Sequence, residues 1–110
     1  MLKIECKIAV QKDGENFLSP AKIALLREIA ESGSLRSAAK SLKISYQHAW
    51  NLIDEMNKLS TAPIVIKHRG GSNGGGAEIS ESGKRLIWEY QQIESEIQRL
   101  VQKLNVEINF

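Results

Sequence analysis

SLRSAAKSLKISYQHAWNLIDEMNKLS, residues 34–60, holds two amphipathic segments separated by a link of only four residues, LKIS. In the first, Leu35, Ala38, Ala39 and Leu42 share one helical face, and the paired alanines let a neighbouring helix approach closely. In the second, Ala49, Leu52, Ile53, Met56 and Leu59 recur at helical spacing and form the inward face. Ser34 and Ser45 stand where a side-chain oxygen can accept from a first-turn N–H. Two short helices joined by three or four residues make a helix-turn-helix unit, which needs a third helix to stack on.

The flanks supply that helix and more. Ser19 followed by Pro20 is a helix start, with Ile23, Leu26, Ile29 and Ala30 at helical spacing until Gly33 stops it. This gives a first helix of about 11 to 13 residues. Before it, Leu2, Ile4, Cys6, Ile8 and Val10 alternate with Lys3, Glu5, Lys7 and Ala9, which predicts an N-terminal strand over residues 2–10. KDGEN at 12–16 then makes a turn.

Downstream, Ala62-Pro63 ends the second helix of the pair. Ile64, Val65 and Ile66 make a short strand, with residues 77–79 as its return partner. Between them lies KHRGGSNGGGAEIS, residues 67–80, which puts five glycines among fourteen residues of a chain that has eight. The glycine run is then the tip of a β-hairpin, a wing. From Ser80 a long helix is expected over residues 81–104, with Gly83 as an imperfection in its first turn. Leu86, Tyr90, Ile93, Ile97, Leu100 and Leu104 follow at spacings of 4, 3, 4, 3 and 4, a seam of period 3.5 that a second subunit covers at least cost. The last residues, VEINF, alternate like a strand.

The fold class is therefore mainly α with a small β-hairpin wing: one winged helix-turn-helix domain over residues 1–110. Its helix-turn-helix spans 34–59, its wing 64–79 and its long dimerisation helix 81–104, with a strand at the N-terminus. At 110 residues, 42% apolar and 25% charged, the composition is that of an ordinary soluble domain. No apolar run approaches the roughly 20 residues that span a bilayer. A cytoplasmic location is expected, with the single Cys6 excluding an internal disulfide.

Net charge is +2, but the charge is unevenly spread: residues 36–69 carry six basic against two acidic side chains. A cationic middle segment points to a polyanion. If the second helix of the pair enters a major groove of double-stranded DNA N-terminus first, Tyr46, Gln47 and His48 stand nearest the base edges and Asn51 reaches from the next turn. Ser34, Ser37, Lys40, Lys43 and Ser45 are placed for phosphates, as are Lys67, Arg69, Gly70, Gly71, Asn73 and Gly74 of the wing. Trp50 suits packing better than base reading. Asp54 and Glu55 would repel phosphates and must turn to the protein, a cationic neighbour or a cytosine amino group.

Catalysis finds little support. Ser45, His48 and Asp54 lack the geometry of a nucleophile, base and orienter, and two histidines and one cysteine on separate elements do not make a metal site. The glycine run matches neither phosphate-binding loop pattern. No enzyme activity, metal or cofactor is expected.

The run KIALLREIAESGSLRSAAKSLKISYQHAWNLIDEMNKLS, followed by IVIKHRGGSNGGGAEISESGKRLI, resembles the N-terminal DNA-binding domain of the molybdate-dependent transcriptional regulators of the ModE family, itself similar to the winged helix of LysR-type regulators. The resemblance covers about residues 19–95. SGSLRSAAKSL alone matches many LysR-like units, whereas SYQHAWNLIDEMN joined to the glycine-rich wing is narrow. It implies a cytoplasmic homodimer on an inverted-repeat operator, with residues 45–51 starting the recognition helix, 69–76 forming the wing and 86–104 leading to the dimer contact. The family's molybdate-binding region follows this domain, and no molybdate binding is expected of these 110 residues. The alternative is a winged-helix module that docks a protein through Asp54, Glu55 and the exposed seam.

Overall fold

The computed structural model describes residues 3–68 and 76–108. Its elements, in chain order, are β1 (Val10–Lys12), β2 (Glu15–Leu18), α1 (Pro20–Ser32), α2 (Leu35–Ser41), α3 (Tyr46–Leu59), β3 (Val65–Lys67), β4 (Ala77–Ile79) and α4 (Glu81–Glu107). Local chemistry sets the helix ends. Ser19, Ser34, Ser45 and Ser80 each accept from the N–H three residues on. Gly33 closes α1 in the left-handed region, at φ 69°, with its N–H on the Ile29 carbonyl. In the helix-turn-helix turn it is Lys43, not a glycine, that takes positive φ, at 59°.

α1 is the centre of the core. Ile23, Leu25, Leu26 and Ile29 are buried against Leu35, Ala38 and Ala39 of α2 and Ala49, Ile53 and Met56 of α3. The alanines on α2 and Ala49 permit the close helix approach expected of them. Leu25, which the period had not singled out, is buried, whereas Ala30 is exposed.

β3 and β4 pair antiparallel, Val65 opposite Ile79 and Lys67 opposite Ala77, and roof the core with Ile64, Val65, Ala77 and Ile79. The wing is stitched to the helix pair at both ends. Ala77 N–H donates to the Gly33 carbonyl at 3.1 Å and Ser34 bridges Gly76, so the turn between α1 and α2 extends the small sheet. On the other side Asn57 of α3 acts as a substitute strand. Its Oδ1 accepts from Ile64 and Val65 N–H at 2.8 and 3.3 Å, and its Nδ2 donates to the Val65 carbonyl at 3.2 Å.

Two expected strands are absent from the described residues. Residues 3–9 are not a strand. They run beside α4, with Ile4 N–H on the Asn105 side chain at 3.0 Å and the Ile8 carbonyl taking the Tyr90 hydroxyl at 2.8 Å. Alternation marks a half-buried chain, but a strand also needs a partner strand, and β2 pairs with β1 only from Val10 onward, in a hairpin around Asp13 and Gly14, both at positive φ. At the other end, Val106 and Glu107 are helical, because α4 continues to Glu107 without meeting a breaker; four or five alternating residues are too few to decide between periods.

Candidate nucleic-acid interface

α3 is the element that could enter a groove. Burial of Ala49, Ile53 and Met56 fixes its rotation, which leaves Gln47, His48 and Asn51 exposed together on its first turns. Gln47 Nε2 donates to Asn51 Oδ1 at 3.0 Å, so the two amides are mutually oriented before any ligand arrives. Ser45 Oγ accepts from His48 N–H at 3.0 Å and serves as the helix cap. Ser37, Lys40 and Lys43 are exposed on and just after α2, while Ser34 is half-buried with its Oγ on the Ser37 N–H at 3.1 Å.

Tyr46 is placed differently from its neighbours. It is half-buried, its ring meets Trp50 edge-on with centroids 6.2 Å apart, and the Arg36 guanidinium from α2 lies 4.9 Å from its centroid. Trp50 is half-buried against the core, and on it rests the Lys67 ammonium, whose other neighbour is Asp54 at 4.0 Å. Burial pushes the Lys67 amine down from its ordinary value, partly offset by the Asp54 carboxylate. Tyr46, Trp50 and Asp54 stand at i, i+4 and i+8, one stripe along α3, with a cation from a different element at each end. The spacing was open to view in the sequence; that Arg36 and Lys67 would close on it was not.

Both acidic residues of α3 turn to cationic neighbours. Asp54 meets Lys67, and Glu55 holds Lys22 of α1 at 3.0 Å. Lys22 is buried, its ammonium donating also to the Asn16 carbonyl at 2.7 Å, an interaction that helical periodicity gave no reason to expect. At the wing base His68 Nε2 lies 2.9 Å from the Glu78 carboxylate. Arg69, Gly70, Gly71, Asn73 and Gly74 lie outside the described residues.

The seam on α4 is split by the structure. Tyr90 is 3% exposed in the single chain and Leu86 packs half-buried on the same core, so both belong to the subunit's interior. The N-terminal segment lies over this face and takes the Tyr90 hydroxyl, which is why a heptad position here does not face outward. Ile93 and Leu100 are 44% and 54% exposed, and Ile97 and Leu104 are half-buried beside them. Trp88 and Val106, outside the heptad pattern, are also exposed. Among the described residues no helix is long and apolar enough to cross a membrane.

No family model matches the chain. Curated relatives do. Over 103 residues it is 35% identical to the molybdenum transport protein ModE of Azotobacter vinelandii, covering 94% of this chain and 38% of that protein. It is 40% identical over 89 residues to the DNA-binding transcriptional dual regulator ModE of Escherichia coli, covering 81% and 34%. It is also 36% identical over 88 residues to the molybdenum-pterin-binding protein MopB of Rhodobacter capsulatus, covering 80% and 33%. The chain thus spans little more than a third of the length of the relatives it matches. A solved structure, that of a single-site mutant of Lactococcus lactis ZitR, shares the fold with a TM-score of 0.61 at 15% identity, over 97% of this chain and 73% of that one. The helix-turn-helix with its hairpin wing, joined to this sequence kinship, makes the chain a winged-helix domain of the ModE family.

Proposed function

We propose that the chain is a cytoplasmic transcriptional regulator that binds double-stranded DNA sequence-specifically as a homodimer and performs no chemistry. Two copies would place their α3 helices in successive major grooves about 34 Å apart, with the wings on the flanking backbone. The observation that carries this is the amide pair Gln47 and Asn51, exposed and pre-oriented at the front of a helix whose opposite face is locked in the core. Amide side chains offer a donor and an acceptor together, which suits bidentate reading of adenine. Tyr46 and His48 flank that pair. Ser34, Ser37, Lys40, Lys43 and Ser45 border it on the α2 side, and Arg69, Gly70, Gly71, Asn73 and Gly74 are assigned to the wing's backbone contacts. The acids of α3 do not oppose DNA, because each has its own cation.

Dimerisation is assigned to the exposed flank of α4, Ile93 and Leu100 with Ile97 and Leu104, since an apolar stripe on a projecting helix stays wet until a second copy covers it. The test is a titration of the protein against duplexes selected from a random pool and against scrambled controls, at two salt concentrations. Binding that falls steeply with salt, with preference for the selected duplex lost in Gln47→Ala and Asn51→Ala, is the expected result. No binding to any duplex at low salt would overturn it in favour of a protein-docking module.

A further inference from the structure

We propose that Lys67 is a positioning residue: by resting on the Trp50 indole beside Asp54 it clamps the base of the wing to α3, so that wing and recognition helix meet DNA in one fixed relation. The proposal rests on the DNA-binding function above and gives Lys67, which its place in the sequence suggested for a phosphate, the part of an internal clamp.

β3 is held to α3 at two places. Asn57 grips its start through three hydrogen bonds to Ile64 and Val65, and Lys67 at its last residue reaches Trp50 and Asp54. Pairing with β4 holds β3 within the hairpin, and two attachments to α3 rather than one set the direction of that hairpin on the helix. The choice of residue also fits. A lysine stem covers apolar surface while its ammonium sits on the negative face of an indole, and a carboxylate one turn further along α3 completes the site. The stripe continues through Tyr46, edge-on to Trp50, to Arg36, so α2, α3 and the wing base are linked by one run of neighbouring cations and rings. An ammonium already shared by Trp50 and Asp54 would have to leave both to neutralise a phosphate.

Fluorescence and binding together test the clamp. The chain has two tryptophans, and in a Trp88→Phe background Trp50 is the only reporter. In the free protein, Lys67→Met should shift Trp50 emission to the red and raise its quenching by acrylamide, while Lys67→Arg keeps the parent signal. On DNA, Lys67→Met should lower the ratio of selected to scrambled affinity about fivefold, the size of a partly exposed cation–π contact, with the salt slope unchanged. Asp54→Asn, which loosens the clamp but keeps the cation, should lower the same ratio even if overall affinity rises. Equal losses on both duplexes with a salt slope smaller by about one would make Lys67 a phosphate contact and overturn the proposal. So would unchanged Trp50 emission in Lys67→Met, or full selectivity in Asp54→Asn. Failure of the parent protein to bind any duplex would instead remove the DNA-binding function, and the clamp's role on DNA with it.

Discussion

Gly83 and Ile64 approach so closely that a β-carbon on Gly83 would stand 2.5 Å from the Ile64 carbonyl oxygen and 2.7 Å from Cγ2 of Ile79. The first turn of α4 is therefore seated directly on the wing strands, with Ser80 fixing the angle through bonds from Gly83 N–H and to the Pro63 carbonyl. Read in the sequence alone, Gly83 weakens a helix; in the fold it is what lets the helix dock.

Gly83→Ala should consequently destabilise the domain. A gain of about 1 kcal/mol in helix propensity is outweighed by overpacking against backbone, which cannot rotate away, and a net loss of about 1–2 kcal/mol is expected. Chemical denaturation of the variant checks this, and a more stable variant would show that α4 can lift off the wing at no cost.

The Lys22–Glu55 pair predicts an asymmetry. Lys22 is 2% exposed on its side chain and Glu55 57%, so loss of either partner leaves a different residue behind. Glu55→Gln leaves the buried ammonium with the neutral Asn16 carbonyl but no counter-charge and should cost about 1–3 kcal/mol. Lys22→Met removes the buried charge and leaves a glutamate already in water, for a loss of about 1 kcal/mol or less. Paired urea melts give the ordering; the reverse order would mean that the ion pair is not buried in solution.

Tyr90 makes stability depend on alkaline pH. Burial, and then the Glu94 carboxylate, push its phenol up from the ordinary value of 10.0, while Arg27 pulls the other way. The folded chain keeps a proton that the unfolded chain releases, so this contribution is complete below about pH 10 and is lost as pH rises through the folded-state value. Tyr90→Phe should flatten that part of the profile, and at neutral pH should cost about 0.5–1.5 kcal/mol for the lost bond to the Ile8 carbonyl. Unfolding free energies measured on either side of about pH 10 decide it; an equal alkaline slope in both proteins would rule Tyr90 out as its source.

Ile93 and Leu100 separate dimerisation from folding. Both are exposed in the single chain, so the double variant Ile93→Lys, Leu100→Lys should remain helical and sediment at half the parent's mass. Circular dichroism with analytical ultracentrifugation checks it. A folded double variant of unchanged mass would move the subunit contact elsewhere.

Residues 34–60 show why so much was legible. Helix periodicity, serine caps and the alanine pair are local signals, and all three agreed there, which left α2, the turn and α3 no alternative register. Gly33 and Pro63 punctuated them for equally local reasons. Residues 3–9 and 106–107 carried only alternation over a few positions, and alternation reports which side of a chain is buried without naming what buries it.

Local spacing in the chain was enough to set the helices, their caps and the outward turn of Gln47, His48 and Asn51, because each depends on neighbours within about one helical turn. Packing alone chose the partners of the charged and aromatic side chains: Lys22 with Glu55, Lys67 with Trp50 and Asp54, Tyr90 with the Ile8 carbonyl. These pairs join residues from different elements, and a contact between elements exists only once the core has fixed how they lie against one another.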